Sequence, residues 1–338
     1  RAEARQDASG ALSGLELLMG VTGRRGLMAR GVRRISTPLA DETRKKWFPG
    51  APGYEAYRWR GDVSMDQYAN GLLPAAAACR LLFPDRTRHL VVDFADHLLA
   101  HGLRIIDADD RPTRFGDLRP SSGYSFNSIA RLTAYAAFAL AAELDGSERF
   151  RAMRDRLRDR DRVLARSFTT NVRILGITNH SNDLMAWNLY RVLIPLARRT
   201  GDRALPDLRY GMHRTWLRVR PDGNAYFVGV LCRVEPETCE TEEVSRALET
   251  LVRFPLEKRK LAPQQALDDL PRRLLPGRKW RRRARQPVPI ELRPPSSLEW
   301  KSSPYRLEGG TSPSIEYTGV DFLAAYWLHR QTAAEVRP

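Results

Sequence analysis

The stretch Leu81–His101, LLFPDRTRHLVVDFADHLLAH, decides the fold. From Arg86 onward Val91, Phe94, Ala95, Leu98 and Leu99 recur at three- and four-residue steps, the spacing of one apolar helical face. Before them, FPDRT is a link too short to do anything but fold that helix back on the one ending near Leu82. Two helices joined this way make an antiparallel hairpin, and the unit recurs. Ile129, Leu132, Ala136, Leu140 and Leu144 pattern a helix over Ser122–Leu144. LDGSER turns it, with Ser147 as the expected N-cap, and Phe150, Met153, Leu157 and Leu164 pattern its partner. RTGDRALP turns a third pair, Asp183–Arg199 with Leu205–Leu217. Further helices are expected at Ala11–Gly20, Glu240–Val252 and Gly319–His329. Asp155 with Arg158, and Asp159 with Arg162, sit three apart and should pair on a solvent face.

The links between hairpins are long and polar, as in residues 102–127 and 166–183. Short turns at one end and long loops at the other place the functional face at the long-loop end. Residues 256–305 break the pattern, being rich in Pro and Arg and poor in periodicity. We expect an extended or partly disordered arm there, within a single domain spanning 1–338 and closed by its last helix.

Composition excludes several classes. No apolar run approaches the roughly 20 residues of a membrane span. The formal charge of +16, from 56 Lys+Arg against 40 Asp+Glu, suits a polyanion partner or a solvated Arg-rich surface. No zinc-finger spacing, RNP-like strand or helix-turn-helix supports specific nucleic-acid binding. No G-x-S-x-G elbow or G-x-G-x-x-G fingerprint supports serine-nucleophile or hydride chemistry. We expect no cofactor and no metal site. Cys79 reads as an inert core thiol. Cys232 and Cys239 are close enough to close a small loop in an oxidising compartment, and a periplasmic or secreted setting is expected over a cytoplasmic one. The chain opens on Arg1, which reads as trimming or processing. Oligomeric state is not legible.

YRWRGDVSMDQYANGLL (57–73), RIIDADDRPTRFGDL (104–118), NHSNDLMAWNLYRVL (179–193), RFPLEKRK (253–260), SPYRLEGG (303–310) and EYTGVDFLAAYWLHR (316–330) together resemble the six-hairpin, (α/α)6 toroid glycosidase-like superfamily. They look most like a bacterial group with GD(T/V)S.DQY at the mouth of an early helix. The resemblance spans about Gly14 to Arg330 and implies an all-α toroid of antiparallel hairpins. The superfamily holds inverting glycosidases, polysaccharide lyases, epimerases and cyclases, so the fold alone selects no reaction. After RFPL this chain departs from the group, carrying EKRKLAPQQA where a more polar stretch is expected.

Within those motifs the candidate catalytic residues are Asp62, Asp66, Asp117, His180 and Asp183. Inverting hydrolysis needs two carboxylates about 6.5–9.5 Å apart, one protonated. Asp62 and Asp66 read equally as loop and first-turn acids around an N-cap at Ser64. His180 could serve as a base or hold a sugar hydroxyl, or be an ordinary loop residue before a cap at Ser181 or Asn182. Candidate substrate-binding residues are Trp59, Arg60, Tyr68, Arg104, Asp107, Tyr124, Asn127, Asn182, Trp187 and Glu316, the aromatics as sugar platforms or as core. The DADD cluster, Asp107–Asp110, reads as turn acids, substrate contacts or a weak cation site. The expected partner is an oligo- or polysaccharide, with hydrolysis leading. The alternatives are a lyase using His180 or a tyrosine as base, and a non-catalytic glycan- or polyanion-binding protein.

Overall fold

The computed structural model describes residues 2–37, 46–120, 128–168, 180–255, 284, 286–294, 296, 298–306 and 319–335. They sort into two compact units, Arg1–Phe168 with Asn188–Gly211, and Thr169–Trp187 with Met212–Pro338. Both are mainly helical, as the apolar periodicity predicts.

In the first unit α1 (Ala2–Gly20) leads into a three-stranded antiparallel sheet, β1 (Gly31–Arg34), β2 (Trp47–Pro49) and β3 (Tyr57–Arg60), in the order β1-β3-β2. Then α2 (Met65–Gln67) runs through a π-helical turn at Tyr68–Leu72 into α3 (Leu73–Cys79), and α4 (Pro84–Ala100) follows. Strands β4 (Arg104–Ile106) and β5 (Pro112–Asp117) make an antiparallel hairpin, and α5 (Ser128–Asp145) and α6 (Glu148–Asp155) complete the series. Helices α7 (His180–Thr200) and α8 (Leu205–Val219) contribute residues from Asn188 and up to Gly211. The second unit holds the rest of both, with α9 (Ala225–Val234), α10 (Thr241–Val252) and α11 (Val320–Glu335).

The apolar faces explain the packing. Leu90, Val91, Phe94, Ala95 and Leu98 of α4 are all buried, and α4 packs on α5, whose Leu132, Ala136 and Leu140 are buried in turn. Gly146 and Ser147 alone separate α5 from α6, and the two helices pack together as the hairpin reading requires. Ser147 is the N-cap residue, but its hydroxyl caps nothing. Asp155 pairs with Arg158 at 3.0 Å, whereas Asp159 pairs with Arg158 and Arg203 rather than Arg162, which turns into the left-handed region at φ 46°.

Three differences from expectation have local causes. Helix α9, AYFVGVLCRV, is buried at every residue but Arg233, and a run this short and apolar cannot be told from a buried strand by its sequence. The strands are only three to six residues long and include Arg-rich GVRR and YRWR, below the length at which alternation is readable. In the described part of the expected arm, Val288, Ile290 and Trp300 are buried and Trp300 Nε1 donates to the Asp321 carbonyl at 2.5 Å, so that part is packed rather than extended over a surface. Residues 256–283 of the arm lie outside the described residues. Cys232 and Cys239 form a disulfide across the α9–α10 link, and Cys79 is a buried free thiol.

His97 on α4 ties three segments together. Its Nδ1 lies 3.1 Å from the Arg25 carbonyl and its Nε2 3.0 Å from the Ile106 amide. The amide must donate, so Nε2 carries the lone pair and the ring is neutral. The loop lies so close that a Cβ on Gly26 (φ +75°) would meet the Asp93 carbonyl at 2.1 Å and the His97 Cβ at 2.6 Å. Burial first, then the neighbouring His101, pushes the His97 imidazole down to about 4. An unfolded histidine titrates near 6.5, so between about pH 6.5 and 4 only the unfolded chain takes up this proton. Stability should therefore fall as pH drops through that window and level off below it, by at most about 3 kcal/mol from this group. Denaturant midpoints at pH 7 and 5 would measure it. The slope should be shallower in His97→Gln, and equal slopes would refute the assignment.

Candidate functional site

The first unit gathers acids around the loop between β3 and α2. Asp62 takes a left-handed conformation (φ 56°), which Asp tolerates better than most residues but at a cost that its surroundings must cover. They do so with three hydrogen bonds. The Asp62 amide donates to Asp107 Oδ2 at 2.8 Å, its Oδ1 accepts from the Arg114 amide at 2.8 Å, and its carbonyl accepts from Arg30 at 2.9 Å. Gly61 admits this contact, since a Cβ there would lie 2.7 and 2.9 Å from the Asp107 carboxylate oxygens and 2.6 Å from the Phe48 ring.

Asp107 is fully buried at the end of β4. Its Oδ1 accepts from the Ala108 amide at 3.0 Å, and Lys46 Nζ stands 3.8 Å from Oδ2. With amides on both oxygens it holds the loop in place and is not open to substrate. Its neighbours are occupied too: Asp109 pairs with Lys46 at 2.8 Å and Asp110 with Arg24 at 2.6 Å. Among the described residues no cluster of His, Cys, Asp and Glu could hold a metal ion.

Four residues on from Asp62, Asp66 lies in the first turn of α2. Ser64 is the N-cap, as its spacing predicts, accepting from the Asp66 amide while its hydroxyl donates to Asp66 Oδ1 at 2.9 Å. Asp62 and Asp66 are half-buried, and neither forms an ion pair among the described residues. Asp117 differs. Its carboxylate is clasped by Arg119 at 2.7 Å, which holds it below the usual carboxylate range, the reverse of what a proton donor needs. Arg60 and Arg104 are half-buried on β3 and β4, Arg104 lying opposite Asp117 in the hairpin register.

In the second unit, His180 opens α7 and is 5% exposed, its Nε2 3.3 Å from Asp222 Oδ2. Tyr305 donates its hydroxyl to Asp222 Oδ1 at 2.9 Å, and Arg293 donates to the Asp222 carbonyl at 3.2 Å. His180 Nδ1 is buried and has no hydrogen-bond partner among the described residues. This is an imidazole beside a buried carboxylate, within ion-pair distance but without a hydrogen bond to Asp222 Oδ2. Asp222 and Tyr305 escape a reading of the sequence. Asp222 sits in RPDG, which looks like an ordinary turn, and nothing local links it to a histidine so far upstream.

Other expected site residues are placed differently. Asp183 is fully buried and both its oxygens face Arg218, so it serves an internal ion pair rather than catalysis. Trp59, Tyr68 and Trp187 are core side chains and not sugar platforms, at 1%, 0% and 0% exposure. Trp59 packs on Phe48, Tyr68 stacks on Phe94 at 3.9 Å between centroids, and Trp187 lies between Phe227 and Trp216. Each lies on the apolar side of its element, where a ring contributes more by burial than by waiting for a ligand. Ser181 and Asn182 fall inside the first turn of α7 instead of capping it, with Asn182 half-buried. Tyr124, Asn127 and Glu316 lie outside the described residues.

Comparison with protein-family models, with curated proteins and with solved structures finds no match for this chain. The geometry of Asp107 yields its own test. Asp107→Asn would turn an NH2 group toward an amide that now donates, and a buried donor would lose its partner. Unfolding free energy should drop by about 2 kcal/mol. An unchanged denaturant midpoint would remove Asp107 from its role.

Proposed function

We propose that this chain hydrolyses a glycosidic bond in an acidic bacterial glycan by carboxylate general acid/base catalysis with inversion, on the (α/α)6 toroid that its motifs resemble. One observation supports this above the others. Asp62 and Asp66 are each fixed in orientation by a neutral donor, the Arg114 amide and the Ser64 hydroxyl, while neither is ion-paired among the described residues. No guanidinium clamps either carboxylate, and in this reading it is the exclusion of water by bound substrate that tunes them for proton transfer. In this reading one of the two protonates the leaving oxygen and the other activates water. Surface arginines engage the acidic groups of the glycan.

A second reading has its own observation in the His180–Asp222–Tyr305 group. In this reading His180, beside the Asp222 carboxylate, removes a proton next to a uronate carboxylate once local opening brings its buried Nδ1 to the substrate. The electron pair left behind forms a ring double bond as the glycosidic oxygen departs, so the product absorbs ultraviolet light. Hydrolysis releases reducing ends without that absorbance.

Asp62→Asn keeps the acceptor for the Arg114 amide and a residue at ease in the left-handed region, and Asp66→Asn keeps the acceptor for Ser64. In a screen of acidic glycans for reducing ends and absorbance together, each substitution should cut reducing-end release at least about 100-fold. The melting temperature should move by no more than about 2 °C. A fully active double variant would end the hydrolase reading. If instead the product absorbs, His180→Ala should abolish turnover and Asp62→Asn should spare it; loss of neither activity would end the elimination reading as well.

A further inference from the structure

The register of the β4–β5 hairpin is uneven. Arg104 pairs with Asp117 and Ile106 with Pro112, so Thr113–Gly116 stand against the single residue Ile105. Thr113 and Gly116 are buried, whereas Arg114 and Phe115, adjacent in the chain, are both exposed. Regular strand alternation would send one of them inward; a bulge sends both out, and bulges re-aim side chains. Gly116 permits this one, since a Cβ there would meet Thr113 Oγ1 at 2.2 Å and the Ile105 Cβ at 2.7 Å.

What the bulge presents lies beside Asp62. The Arg114 amide, freed from the strand ladder, donates to Asp62 Oδ1 at 2.8 Å, while Asp62 Oδ2 accepts no hydrogen bond among the described residues. Phe115 is 44% exposed, and the Arg114 guanidinium lies over its ring, 5.0 Å from the centroid. That guanidinium forms neither an ion pair nor a hydrogen bond among the described residues. An apolar plate with an uncommitted cation at its side is thus fixed, through one backbone bond, to a candidate acid. A pyranose ring has an apolar C–H face that suits such a plate, and a uronate adds a carboxylate that suits the guanidinium. Trp59, Tyr68 and Trp187 are spent on the core, whereas Phe115 keeps its ring in water.

We propose that Phe115 and Arg114 form a uronate-binding subsite next to Asp62, the sugar ring lying on Phe115 and its carboxylate pairing with Arg114. The subsite rests on the hydrolase reading for the reaction it serves, though not for binding. Ligand-observed NMR titration of the full chain tests it with short oligomers of galacturonate, glucuronate and mannuronate. Each is paired with its methyl ester, which keeps the ring and loses the charge. At least one acid should bind, about tenfold tighter than its ester. Phe115→Leu should weaken that acid and its ester alike by about tenfold, and Phe115→Tyr, which keeps the ring, should bind both as the parent does. Arg114→Gln should bring the acid down to the level of the ester and leave the ester unchanged. Both side chains are exposed, so each variant should melt within about 2 °C of the parent. The proposal fails if no acid binds, if acid and ester bind alike, or if Phe115→Leu and Arg114→Gln bind as the parent does. It fails without the hydrolase reading if those two variants also turn glycan over at the parent rate while Asp62→Asn does not. If they weaken binding and Asp62→Asn still turns glycan over, hydrolysis at Asp62 falls and the subsite stands.

Discussion

One buried carboxylate anchors the loop that carries Asp62. Asp107 is removed from water, which would cost several kcal/mol for an isolated charge, and it recovers this through amide hydrogen bonds on both oxygens with Lys46 nearby. The bond from the Asp62 amide is what keeps Asp62 in its left-handed conformation, and Gly61 is the residue that allows the two strand ends to approach that closely. The position of Asp62 thus depends on a fully buried residue from a distant segment of the chain. Sites whose supporting shell is rigid hold their reacting groups to within fractions of an ångström, and this shell is backbone and carboxylate rather than long side chain.

Arginine abundance then sorts the remaining acids. In a chain with 56 basic and 40 acidic residues, several buried or half-buried carboxylates meet a guanidinium: Asp117 with Arg119, Asp183 with Arg218, Asp202 with Arg158. For Asp117 and Asp202 the pairing helps hold the carboxyl below its usual range. Among the described residues Asp62 and Asp66 form no ion pair, and Asp222 lies 3.3 Å from His180. Of the five residues expected to be catalytic, Asp117 and Asp183 are taken up by arginine, and Asp222 and Tyr305 stand near His180.

The aromatics follow the opposite logic. A Trp or Tyr beside acids at a helix mouth looks like a sugar platform, and the same residue at helical or strand spacing looks like core. Trp59, Tyr68 and Trp187 all resolve as core because each ring has another ring to pack on, Phe48, Phe94 and Phe227. Tyr68 adds a polar tether, its hydroxyl donating to the Gly26 carbonyl and accepting from the Met28 amide, which satisfies a buried group that would otherwise be costly.

Spacing along the chain was enough to read the long helices α4, α5, α7, α8 and α10, and the Ser64 cap beside Asp66. Such features are local: they depend on residues within one or two turns of each other. Helix α9 was hidden because an apolar run of ten residues reads equally as a buried strand, and the short Arg-rich strands because pairing with distant strands, not their own composition, makes them strands. Folding alone decided which carboxylates meet arginine, which aromatic meets another ring, and that Asp222 and Tyr305 stand at His180. Those choices rest on through-space charge and exclusion of water between segments far apart in the chain, quantities that no local pattern encodes.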